Sequence, residues 1–147
     1  MDEYVVWFED VGMRDVPRVG GKNASLGEMI RGLTAEGIRV PDGFASTAAA
    51  YRAFVAANGI EQAIRDRLRG YREGSATLRE TGEAVRELFL AGEFPQAIAD
   101  ALVAGYRELG DRSGVPAPAV AVRSSATAED LPEASFAGAQ ETFLNVV

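Results

Sequence analysis

Gly20-Gly21-Lys22-Asn23-Ala24-Ser25-Leu26-Gly27-Glu28-Met29-Ile30 is the stretch on which the reading of this chain turns. Two glycines permit a tight turn, and the apolar residues Leu26, Met29, Ile30 and Leu33 follow at roughly helical spacing. Asn23 is placed to cap that helix, because its side-chain oxygen can accept from the amides of the first turn, and Gly37 stands near the far end. A glycine loop opening a helix presents backbone amides and the positive end of the helix dipole, which suits an anion. The distribution of cations sharpens this reading. Of the 15 basic residues 14 are arginine, and the one lysine, Lys22, directly follows the two glycines. Its ammonium can hook a phosphate. The P-loop pattern is not met, since no glycine stands five residues ahead of Gly21 and Asn23 replaces Ser/Thr. On local pattern alone, a Gly-Gly turn beside a surface lysine accounts for the same residues.

Upstream, Tyr4-Val5-Val6-Trp7-Phe8 is short, β-branched and aromatic and is bounded by acids, so it predicts a buried strand. Residues 9–19 show no clear period. Downstream, Ile38-Arg39-Val40-Pro41-Asp42-Gly43-Phe44 has turn chemistry at Pro-Asp-Gly with an apolar residue on each side, which allows two short strands or a connector. Ser46 or Thr47 can cap a helix with an inner face of Ala48, Tyr51, Phe54 and Val55, ending near Asn58-Gly59. Three further helices are expected from Ile60, Ile64 and Leu68, from Leu78, Val85, Leu88 and Phe89, and from Ile98, Leu102, Tyr106 and Leu109. Their outer faces mix arginine with acid, as at Glu61 and Arg65, and so make a solvated surface rather than a basic patch.

After a stiff stretch at Ser113-Gly114-Val115-Pro116-Ala117-Pro118, the run Ala119-Val120-Ala121-Val122 predicts a strand ending at Arg123. A guanidinium at a strand end can clamp phosphate oxygens in bidentate fashion, with Ser124 and Ser125 adding donors. Spacing equally allows Arg123 to pair with Glu129 or Asp130. Residues 124–139 are small and polar and are expected to form a mobile loop over a ligand, with Glu129, Asp130 and Glu141 as possible magnesium ligands or simply solvated acids. Thr142, Leu144 and Val146 alternate with Phe143 and Asn145, which predicts a last strand. The chain stops inside that strand, so the domain is expected to have been cut.

Composition narrows the chemistry. The 147 residues hold 47% hydrophobic and 25% charged residues, which supports a folded core of ordinary size. A net charge of −7 disfavours a general nucleic-acid surface, so any anion needs a local site. With neither cysteine nor histidine, the chain by itself offers no thiol nucleophile, no imidazole zinc site, no Ser-His-Asp hydrolysis and no phosphohistidine. The acidic N-terminus lacks a signal-length apolar run, and nowhere are there about 18 consecutive apolar residues. A soluble, cytoplasmic protein without membrane partners is expected.

Two segments together are far more specific than either alone. Val19 to Met29 and Val122-Arg123-Ser124-Ser125-Ala126-Thr127-Ala128-Glu129-Asp130-Leu131-Pro132, continuing through Ala134-Ser135-Phe136-Ala137-Gly138 and Gln140 to Val146, closely resemble the N-terminal nucleotide-binding region of the phosphoenolpyruvate synthase family. Val6-Trp7-Phe8 and Val40-Pro41-Asp42-Gly43-Phe44 are similar to it as well, so the resemblance spans the chain, with the helical middle least diagnostic. Pyruvate phosphate dikinase and rifampin phosphotransferase have similar segments.

The resemblance implies an α+β fold, the N-terminal part of an ATP-grasp domain, with short strands and a helical insertion at about 47–110. It also implies an enzyme that uses ATP, magnesium, pyruvate and water to make phosphoenolpyruvate, AMP and phosphate, with a mobile phosphohistidine domain carrying the phosphoryl group. By matching motif positions, Lys22 and Arg123 would hold ATP phosphates, and Gly138 and Thr142 would line the nucleotide. The chain departs from the family in having no histidine, no pyruvate-binding barrel and no second half of the ATP-grasp domain. Ala139 stands where a second glutamine is expected before Gln140. No metal ligand is assigned, and the segment alone is not expected to catalyse the reaction. A related dikinase-type phosphotransferase and a stand-alone nucleotide-binding module are the alternatives.

Overall fold

Val5–Trp7 forms strand β1, where β-branched and aromatic residues suit a half-buried pleated surface. It pairs antiparallel with β2, Phe44–Ser46, in the register Val5 to Ser46, Val6 to Ala45 and Trp7 to Phe44. The computed structural model describes residues 4–128 and 141–147. The chain divides into two compact units, Met1–Ala50 with Ile98–Val147, and Tyr51–Ala97. Among the described residues no helix is long and apolar enough to cross a membrane.

In the first unit, Phe8–Asp10 and Met13–Asp15 are 3-10 turns, followed by the short helix α1, Val16–Val19, and the long helix α2, Gly21–Leu33. Val6, Val11, Val19, Ala24 and Ala45 form the core, with Phe8 and Val16 packed against it. Gly27 lets α2 lie on this core: a Cβ there would strike the carbonyl oxygens of Phe8 and Val11. A 3-10 turn at Thr34–Glu36 ends the helix, closed by Gly37 in the left-handed conformation at φ 79°. Residues 38–43 then form no strand, so the turn at Pro41-Asp42-Gly43 leads into a single strand, β2.

Thr47 starts helix α3, Ala48–Ala57, its hydroxyl accepting from the Ala50 amide at 3.3 Å. In the second unit, α3 is followed by α4, Glu61–Arg72, and α5, Leu78–Leu90. Phe54 stacks on Phe89 at 5.8 Å and meets Phe94 edge-on at 5.2 Å. Tyr51 does not join an inner face as its spacing suggested. It is 57% exposed, with one side of its ring on Phe89, because its polar hydroxyl costs little when left in water. Asn58 exchanges hydrogen bonds with the backbone of Glu93, and Thr77 and Glu80 make a reciprocal capping box at the start of α5.

Helix α6, Gln96–Ser113, returns the chain to the first unit. There Gly105 lies against the Phe44 ring, and Tyr106 donates to the Pro118 carbonyl at 3.0 Å. Arg112 stacks 3.6 Å over Trp7 and donates to Glu9 and Glu108, with Asp42 at 3.5 Å, which drives its pKa above the ordinary arginine value. Beyond it, β3, Val120–Arg123, pairs antiparallel with β4, Thr142–Val146, and an irregularity in register falls between Val120 and Val122. The architecture is therefore α+β, with six helices and two small sheets among the described residues.

Candidate functional site

The glycine pair is the hinge of the site. Gly20 is buried and has φ 82° and ψ 163°, a backbone conformation essentially closed to residues with a Cβ. It lets α1 end, the Gly20 amide donating to the Val16 carbonyl, and α2 begin one residue later. The helix therefore starts earlier than an Asn23 cap would allow. Gly20 is the N-cap, with no side chain to bond, and Asn23 lies inside the first turn. Its side-chain amide turns back and donates to the Val19 carbonyl at 2.8 Å, tying the two helices across the glycines.

The glycines serve a second segment. The Gly21 amide donates to the Ala126 carbonyl at 3.2 Å. A Cβ at Gly20 would overlap the Ser125 hydroxyl and stand 2.8 Å from the Ser125 carbonyl carbon and 3.0 Å from the Ala126 nitrogen. The Ser125 hydroxyl is buried in this contact and has no hydrogen-bond partner among the described residues. One consequence corrects the expectation of open helix amides: the Gly21 donor is already taken by protein. Close backbone approach at Gly20 is likewise used for protein rather than ligand.

This contact brings the two signature segments together. Lys22, partly exposed, is the residue after Gly21, and Arg123, exposed at the end of β3, is three residues before Ala126. Thr142, also exposed, lies directly opposite Arg123 on β4, so the two side chains share a face of the ribbon. Ser124 continues this pairing, its amide donating to the Glu141 carbonyl at 3.3 Å. Lys22, Arg123 and Thr142 thus sit on adjoining segments of one unit. Gly138 lies outside the described residues, as do Glu129 and Asp130. Among the described residues there is no cluster of three or more Asp, Glu, His or Cys spaced as metal ligands are.

Two arrangements escaped the sequence. The Gly20 to Ser125 contact joins residues far apart in the chain, and only the small side chains on both sides hinted at it. Glu28 on α2 accepts from the Met13 amide at 3.0 Å and pairs with Arg31, and these partners hold its carboxyl below the ordinary pKa. It fixes the 3-10 turn that precedes the glycines.

Residues 16–147 match the family described as pyruvate phosphate dikinase, AMP/ATP-binding domain. The chain is 53% identical to phosphoenolpyruvate synthase of Neisseria meningitidis serogroup B over 146 residues, 99% of this chain and 18% of that protein. Over 147 residues it is 54% identical to phosphoenolpyruvate synthase of a Synechocystis species, again 18% of the relative's length. Identity to the Escherichia coli phosphoenolpyruvate synthase is 46%, covering 97% of this chain and 18% of the relative. The chain thus spans about a fifth of the length of the curated relatives it matches. With nearly all of its residues inside the family match, the chain belongs to the pyruvate phosphate dikinase AMP/ATP-binding domain family.

Proposed function

We propose that this chain is the ATP-binding part of a phosphoenolpyruvate synthase, a pyruvate, water dikinase that converts ATP, pyruvate and water to phosphoenolpyruvate, AMP and phosphate. In this reading it is the N-terminal part of an ATP-grasp domain that carries a helical insertion at about 47–110. Lys22 and Arg123 hold the ATP phosphates, and Thr142 and Gly138 line the nucleotide. The observation that carries the reading is the Gly21 to Ala126 hydrogen bond, which sets the segment with the single lysine beside the strand that ends in Arg123.

The chemistry follows from charge. Phosphate oxygens gather negative charge as a phosphoryl group leaves, and fixed cations beside them stabilise that state without reorganising water. Lys22 supplies a point charge, whereas Arg123 supplies a planar fork suited to two oxygens at once. Thr142, opposite Arg123, adds a hydroxyl on the same face. With no histidine in this chain, the phosphohistidine belongs to the remainder of a longer polypeptide, where the family resemblance also puts the pyruvate site. Magnesium is part of the proposed reaction through the family resemblance alone.

The test is conversion by the full-length polypeptide that contains this chain. Phosphoenolpyruvate and AMP are expected in equal amounts from ATP and pyruvate. ATP consumption that requires another acceptor in place of pyruvate would reassign the chain to a related phosphotransferase.

A further inference from the structure

Gly20 does its packing on protein. Its α-carbon faces Ser125 and Ala126 with no room for a methyl group, and the adjacent Gly21 amide is bonded to the same segment. Among the described glycines with positive φ, Gly37, Gly59, Gly74 and Gly114 have nothing within 4 Å of an added Cβ, whereas Gly20 is in contact with another segment. Those four glycines serve their local turns. At Gly20 the missing side chain also sets how closely the start of α2 approaches the end of the β3 strand.

We propose that Gly20 is a positioning residue for phosphate binding: its contact with Ser125 fixes the separation of the Lys22 and Arg123 cations. This rests on the reading that those two residues hold the ATP phosphates. A group held by two cations needs both at once, and displacing one by a fraction of an ångström lengthens every contact it makes. The Ser125 hydroxyl could rotate aside, but the Ser125 carbonyl carbon at 2.8 Å and the Ala126 nitrogen at 3.0 Å are backbone, so the displacement passes to the segment that follows β3. The buried Ser125 hydroxyl, without a partner among the described residues, is consistent with a contact kept for its spacing rather than for a hydrogen bond.

The experiment measures ATP dissociation constants and steady-state KM for ATP in the full-length polypeptide. Gly20→Ala adds both backbone strain and bulk, and Ser125→Thr adds bulk to the same contact from the other side without changing φ at Gly20. Gly37→Ala adds left-handed strain at a glycine with open space around it. At temperatures where each variant is folded, Gly20→Ala and Ser125→Thr are expected to weaken ATP binding by about tenfold or more, and Gly37→Ala by less than about twofold. Where Gly20→Ala does not fold, Ser125→Thr decides. If Lys22→Ala weakens ATP binding but Ser125→Thr binds ATP as the parent does, the spacing role is overturned and the phosphate assignment stands. If Lys22→Ala and Arg123→Ala both bind ATP normally, the phosphate assignment falls and the role of Gly20 falls with it.

Discussion

The Gly21 amide donates to the Ala126 carbonyl, and this 3.2 Å bond joins the start of α2 to the residues that follow β3. Neither segment alone distinguishes a phosphate site from an ordinary turn or a strand end. The bond sets Lys22 one residue from one of its ends and Arg123 three residues from the other, in one unit.

The first prediction concerns those cations. Lys22→Ala or Arg123→Ala in the full-length polypeptide should each lower turnover at least about tenfold, since a charge-assisted phosphate contact is worth about 1.5–3 kcal/mol. Steady-state kinetics with ATP and pyruvate check this. Unchanged rates in both variants would remove the assignment.

A second prediction isolates Arg112. Its guanidinium stacks on Trp7 and reaches carboxylates from three places in the chain, Glu9, Asp42 and Glu108. Arg112→Lys keeps the charge and loses the planar stack and the fork, so it should cost about 1–2 kcal/mol of stability. Denaturant unfolding measures the loss. The parent midpoint in Arg112→Lys would show that the stack contributes nothing.

A third follows from the capping box at α5. Hydrogen bonds from the Thr77 hydroxyl and amide hold the Glu80 carboxyl below its usual value of 4.5. A depressed folded-state pKa gives stability that is present above 4.5 and is lost as the pH falls through the folded value. Glu80→Ala should therefore flatten the acid limb of the stability curve below pH 4.5 and lower the plateau above it. Thr77→Ala should cost about 1 kcal/mol at neutral pH. Melting curves at stepped pH test both, and an acid limb in Glu80→Ala as steep as the parent's would contradict the first.

A fourth concerns β4. Phe143 and Leu144, 58% and 68% exposed, are consecutive strand residues and so present apolar surface on both faces of a two-stranded ribbon. Produced alone, the 147 residues should self-associate with rising concentration, and a Phe143→Ser/Leu144→Ser double variant should do so less. Sedimentation velocity distinguishes the two, and a monomer at all concentrations would refute the expectation.

Much of this arrangement was legible where local rules suffice. β1, the helices after Pro95 and Gly59, the end of α2 at Gly37 and the Thr47 cap all follow from periodicity, capping and turn chemistry. The Asn23 cap is where the local rule fell short. The Asn23 side-chain oxygen suits the amides of a first turn, yet Gly20, with its positive φ, begins the helix without a side-chain cap and leaves the Asn23 amide to donate to the Val19 carbonyl. Residues 38–44 allowed two short strands or a connector, and the connector forms: 38–43 lead without a strand into Phe44–Ser46, which pairs with β1. In the site, the residue types were visible in the sequence, whereas the Gly20 to Ser125 contact depends on tertiary packing that no spacing rule encodes.

The most direct measurement is hydrogen exchange by mass spectrometry on the full-length polypeptide with and without ATP. Phosphates held between α2 and β3 should slow exchange in peptides covering residues 20–26 and 123–128, while peptides from α4 and α5 remain unchanged. Protection confined to other regions, with both of these segments exchanging as they do without nucleotide, would contradict the account.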